Sequence, residues 1–116
     1  MHPAIRPNKP GFGICADVIN TDEWTTRCGT HFTFENGWTL SIQWSPLNYC
    51  EAKNHFDRFD GQSATAECAA WDAKGNSLRL SDNDDVRGWM SPHEVVDLLV
   101  RVRQMPKAKE DLTDGS

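Results

Sequence analysis

The stretch Thr30-His31-Phe32-Thr33-Phe34-Glu35-Asn36-Gly37-Trp38-Thr39-Leu40-Ser41-Ile42-Gln43-Trp44 decides the fold. Trp38, Leu40, Ile42 and Trp44 alternate with Thr39, Ser41 and Gln43, a period of two that makes one face of a strand apolar and the other polar. Phe32 and Phe34 alternate with His31 and Thr33 in the same way. Between the runs, Asn36-Gly37 can take positive φ at both central positions, which predicts a two-residue type I′ hairpin turn. The polar face, carrying Thr39, Ser41 and Gln43 with Thr65 and Glu67, is expected to face solvent and to be available to a partner.

Working outward, a second hairpin reads as residues 64–72, a turn at Ala73-Lys74-Gly75-Asn76, and Ser77-Leu78-Arg79-Leu80. Ala64, Ala66, Cys68 and Ala70 share one face, and their small side chains allow a helix to approach closely. That helix starts at Ser91-Pro92-His93-Glu94, a capping box with proline at the first helical position. Val95, Leu98, Leu99 and Val102 follow at helical spacing, Val96 and Val100 broaden the stripe, Arg101 and Arg103 lie near the end, where they favour the macrodipole, and Pro106 lies beyond it. The fold class is α+β: an antiparallel sheet of four or five strands, made of two hairpins, with one C-terminal helix packed on one face. Within residues 14–29, Ile14, Ala16 and Val18 fit a short edge strand, while Thr21-Asp22-Glu23-Trp24 fits a capped helical turn equally well.

Three prolines and two glycines make residues 1–13 an extended N-terminal arm, and the polar run 106–116 reads as a disordered tail. The intervening 14–105 forms a single domain. A chain of 116 residues builds one hydrophobic core. Seventeen acidic against twelve basic residues leave a net charge of −5, with the basic residues scattered singly, so direct nucleic-acid binding is not expected. No apolar run is long enough to span a bilayer and the N-terminus lacks a secretory pattern, so a cytoplasmic protein with no membrane partner is expected. Cys15, Cys28, Cys50 and Cys68 show no Cys-x-x-Cys spacing, which argues for reduced thiols, no metal site and no cofactor. Asp82-Asn83-Asp84-Asp85 lacks the spacing of a calcium loop and reads as an acidic turn.

Residues 45–63 join the hairpins, a long connection for a compact domain. Asn48, Tyr49, Phe56, Arg58 and Phe59 give it the composition of a binding surface, although its aromatics could equally pin it to the sheet. Cys50, His55 and Asp57 can be written as a nucleophile, a base and an orienting carboxylate; the alternative is a buried thiol and a solvated imidazole. Of the tryptophans, Trp38 and Trp44 read as core, Trp71 likewise if it turns inward, Trp89 as a staple at the start of the helix, and Trp24 as a contact residue.

The segments 34–44, Asn48-Tyr49-Cys50, Ala64-Thr65-Ala66-Glu67 with Trp71-Asp72, and 88–95 together resemble a type of small tailed-phage or prophage protein. The resemblance covers about residues 32–100 and implies no activity. What it implies is a setting: a non-enzymatic accessory protein that binds a host protein or protein complex, as anti-CRISPR-like inhibitors of host defence do by occlusion. Two alternatives stand beside it. One is a small-molecule or nucleotide-binding sponge or sensor, a homo-oligomer that stacks its ligand on Trp or Tyr beside Arg58. The other is a small enzyme built on Cys50 and His55.

Overall fold

The computed structural model describes residues 9–13, 28–57, 59–82 and 84–107. Four strands, β1 (Gly29–Thr33), β2 (Thr39–Gln43), β3 (Ala66–Trp71) and β4 (Val86–Met90), form one antiparallel sheet in the order β1-β2-β3-β4, followed by helix α1 (Pro92–Arg103). The helix lies on β2, β3 and β4 and does not reach β1. The fold is α+β, as the alternation and the helix cap require.

The β1–β2 hairpin pairs Phe32 with Leu40 and Thr33 with Thr39. Its turn differs from the two-residue expectation. Only Gly37 has positive φ, 88°; the Gly37 amide donates to the Phe34 carbonyl at 2.9 Å and the Phe34 amide to the Trp38 carbonyl at 2.8 Å. This is a three-residue loop, a type I turn closed by a left-handed glycine. The longer loop frees the Asn36 side chain, whose Nδ2 donates to the carbonyls of Val102 (3.0 Å), Arg103 (3.2 Å) and Met105 (2.9 Å). Val102 and Arg103 belong to the last turn, where a helix runs out of intrahelical donors, and Met105 follows just beyond its cap. Asn36 Oδ1 meanwhile accepts from the Trp38 amide, and Trp38 Nε1 donates to the Pro106 carbonyl. The hairpin tip thereby caps the helix.

Leu40, Ile42, Trp38 and Trp44 are buried, and opposite them the small Ala66, Cys68 and Ala70 are buried too. The helix lays Val95, Leu98 and Val102 onto this face. Ser91 Oγ accepts from the Glu94 amide at 3.2 Å and Glu94 Oε1 accepts from the Ser91 amide at 2.9 Å, completing the capping box. Met90, not Trp89, precedes the cap as a buried apolar residue, with Val95 buried at the fourth helical position.

The second hairpin also departs from expectation. Ser77 bridges Trp71 and the Leu78 amide donates to the Ala70 carbonyl, but the pairing then stops. The chain makes an excursion through 79–85 and rejoins the same edge of β3 as β4, with Ala69 opposite Val86 and Ala66 opposite Met90. Between Ala66 and Cys68 the register shifts, because Gly88 and Trp89 together face the single residue Glu67. The extra residue resets the alternation, so Trp89 turns outward and Met90 inward.

Phe12, in the described segment 9–13, bridges Ser63 and stacks on Trp44 at 5.6 Å. The alternatives for residues 14–27, including Trp24 and Cys15, lie outside the described residues; Gly29 already belongs to β1. Among the described residues, no helix is long and apolar enough to cross a membrane.

Candidate functional site

The polar face of β2 is not the open surface that its alternation suggests. Thr39 is 9% exposed and Ser41 7%, and Gln43 is half-buried. Gln43 folds across Gly29 and donates to Ser41 Oγ at 3.2 Å, Thr39 shares a hydroxyl bond with Thr33 at 2.9 Å, and His31 meets Trp71 edge-on at 5.5 Å. Neighbouring side chains satisfy these polar groups, so Thr39 and Ser41 are withdrawn from the expected binding face.

The connection 45–63 is stitched to the sheet by hydrogen bonds in which side chains both accept and donate. Glu67, on β3 opposite the β4 bulge, accepts from Asn48 Nδ2 at 3.1 Å and from the Tyr49 amide at 3.0 Å. Asn48 Oδ1 in turn accepts from the Ser45 amide and hydroxyl at 3.0 and 2.7 Å. The Glu51 amide donates to Thr65 Oγ1, the Ala64 amide to Glu51 Oε1, and Trp44 Nε1 to the Gly61 carbonyl. Phe59 is buried and pins the segment, whereas Tyr49 and Phe56 stay exposed. Asn48 is committed to internal bonds and acts as a positioning group. Arg58 lies outside the described residues.

Cys50 is 1% exposed and its thiol donates to the Ser45 carbonyl at 3.4 Å, while His55 and Asp57 sit on an exposed stretch. A nucleophile must meet its substrate, and this thiol is sealed in the core. Cys28 and Cys68 are buried as well. Burial, reinforced by the Glu67 carboxylate and opposed by Arg87, pushes the Cys68 thiol up to about 12, so it is not a thiolate at neutral pH. Burial also raises Cys28. Among the described residues, no group of three or more His, Cys, Asp and Glu side chains is placed to hold a metal ion.

What the loop does assemble is a surface aromatic pair. The Tyr49 carbonyl accepts from the Trp89 amide at 2.8 Å, and the two rings lie 5.7 Å apart, tilted by 36°. Lys53 Nζ sits 4.7 Å from the centre of the Tyr49 ring. Gly88 makes the approach feasible: a Cβ there would lie 2.6 Å from both Tyr49 Cβ and the Tyr49 carbonyl oxygen. Trp89 itself has φ of 49°, a left-handed conformation that costs a bulky residue about 1–2 kcal/mol. Yet the residue is 56% exposed, beside Tyr49 at 49%.

Tyr49 lies in the loop expected to bind, but Trp89 is not a staple at the helix start, because the alternation of β4 is broken by a bulge that no local pattern marks. The Gly88-Trp89 dipeptide was the available signal. A concavity of about 320 Å³ between β4 and α1 is lined by Arg87, Met90, Glu94, Asp97, Leu98 and Arg101. Arg87 and Glu94 pair across it at 2.7 Å.

Comparison with protein-family models finds no match. No curated protein matches the chain, and no solved structure does.

Proposed function

We propose that this protein is a non-enzymatic binding protein that occludes the surface of a protein partner, with Tyr49 and Trp89 at the centre of the contact. The observation that carries the reading is Trp89: a large aromatic held in a left-handed backbone conformation and left 56% exposed. Burying Trp89 would explain the strain as the cost of packing, but an exposed ring gains little from its position in the free protein. Trp and Tyr are the side chains that dominate interface energetics, and the pair already rests on a stitched, ordered support. Lys53 adds one cationic contact at the rim of a chain whose net charge is −5.

The resemblance of segments 34–44, 48–50 and 88–95 to small tailed-phage proteins supplies the setting of the proposal, in which the partner is a bacterial host complex and the effect is inhibition of a defence system. The test is capture from host lysate by wild type, Trp89→Ala, Tyr49→Ala and, on the helix surface, Val96→Ser. The expected result is one reproducible partner retained by Val96→Ser and lost, by tenfold or more in affinity, in the two aromatic variants. Equal capture by all four would overturn the reading.

A further inference from the structure

We propose that β1 is a pairing edge for a second copy of this chain, giving a twofold dimer with one continuous sheet. The two edges of the sheet are treated differently. The outer edge of β4 is closed by the chain itself: the Trp89 amide is taken by the Tyr49 carbonyl, Gly88 seats the Tyr49 backbone, and a bulge interrupts the edge. On β1 all five residues, Gly29-Thr30-His31-Phe32-Thr33, are exposed, and among the described residues nothing pairs with its outer side. It carries no charge, no proline and no bulge, the devices that proteins use to protect an edge.

The register identifies which backbone groups are open. The Trp44 amide donates to the Cys28 carbonyl and the Phe34 amide to the Trp38 carbonyl, so the even-numbered residues of this strand bond to β2. Gly29, His31 and Thr33 therefore direct their N–H and C=O groups outward. Those three positions are self-complementary about His31: a second β1 running antiparallel sets His31 against its copy and Gly29 against Thr33, forming up to about six hydrogen bonds.

Side chains favour a copy of this chain over a foreign strand. Phe32 points to the core face, on the strand that the helix does not cover, is 42% exposed and stacks on Phe34 at 6.4 Å. In the twofold register Phe32 lies opposite Thr30 of the copy and diagonal to the other Phe32, a separation that aromatic rings can bridge. Each ring thus covers the apolar surface that the other leaves open. Although the chain carries −5, no carboxylate lies in β1, so the two copies meet without like charges directly opposed.

Sedimentation of the full chain across the micromolar to millimolar range tests the dimer, with the wild type expected to reach twice the monomer mass. Thr33→Pro removes an outward N–H and no ladder bond to β2, and His31→Lys places two cations at the dyad; both are expected to be monomeric at concentrations where the wild type is dimeric, with native circular dichroism. Should Thr33→Pro fail to fold, His31→Lys decides the question. A wild type that stays monomeric at millimolar concentration overturns the proposal, as does a dimer that survives His31→Lys. A dimer lost on Trp89→Ala but retained by the β1 variants also overturns it, since pairing would then run through the aromatic surface.

Discussion

Asn36 shows how much one side chain can connect. Its amide nitrogen serves three carbonyls at the end of α1 and its oxygen holds the Trp38 amide, so the tip of one hairpin closes a helix more than sixty residues away. Asn36→Ala leaves those carbonyls to solvent and loosens the turn, and it is expected to lower unfolding free energy by about 1–3 kcal/mol, read from the urea midpoint. The residue was legible as a turn former; its capping role was not, because nothing local in sequence connects Asn36 to Met105. The tripeptide Asn48-Tyr49-Cys50 is a parallel case. No rule of turn or strand asks for it, yet each member has a partner far along the chain or in the core: Glu67 for Asn48, Trp89 for Tyr49 and the Ser45 carbonyl for Cys50. The burial of Cys28, Cys50 and Cys68 sets a second expectation. In a Cys15→Ser background, a thiol reagent at neutral pH should label the protein only at its unfolding rate, and rapid stoichiometric labelling of native Cys50 would restore the enzyme reading.

At the scale of elements, what was legible was local. The capping box, the helix stripe and the alternation of β2 each depend on residues within a few positions of one another; the capping box stands, the stripe is buried at Val95, Leu98 and Val102 but exposed at Val96 and Val100, and Leu40 and Ile42 enter the core while Thr39 and Ser41 on the opposite face are buried too. The last strand was displaced from 77–80 to Val86–Met90 because pairing along β3 begins at Ser77, breaks, and resumes after an excursion, and each half is too short to declare itself. Two carboxylates secure these junctions. Asp72 lies below the usual carboxylate range chiefly through the amide of Asn76, and Glu94 chiefly through the amide of Ser91 with help from Arg87. A lowered value in the folded state stabilises the fold above the ordinary carboxylate range, and that contribution is lost as pH falls through the lowered value. Asp72→Asn with Glu94→Gln keeps the shapes and removes the titrations. The acid limb of melting temperature against pH is expected to be shallower in this double variant than in wild type, and an unchanged slope would assign acid sensitivity elsewhere.

For the whole molecule, the distribution of polar and aromatic surface revises the simple picture of a one-sided sheet. The strand alternation correctly located the core, but its polar face is closed by Gln43, His31 and Trp71, the last half-buried on this face and not in the core, and the exposed aromatics have moved to the seam between the long connection and β4. That seam could not be read from sequence because it depends on the bulge at Gly88-Trp89 and on the close seat of Tyr49 against Gly88. It gives the chain a surface built at a cost in backbone strain, a cost that the proposed binding role makes use of. Trp89→Gly separates the two roles, since glycine adopts the left-handed conformation freely while removing the ring. Relief of strain offsets the lost contact with Tyr49, so stability should stay within about 1 kcal/mol of wild type. The direct measurement is the stability of Trp89→Gly by urea unfolding together with its capture of the partner bound by wild type. The expected result is near-native stability with binding lost; binding retained, or a fold destabilised by more than about 3 kcal/mol, would show that Trp89 serves packing and contradict the account.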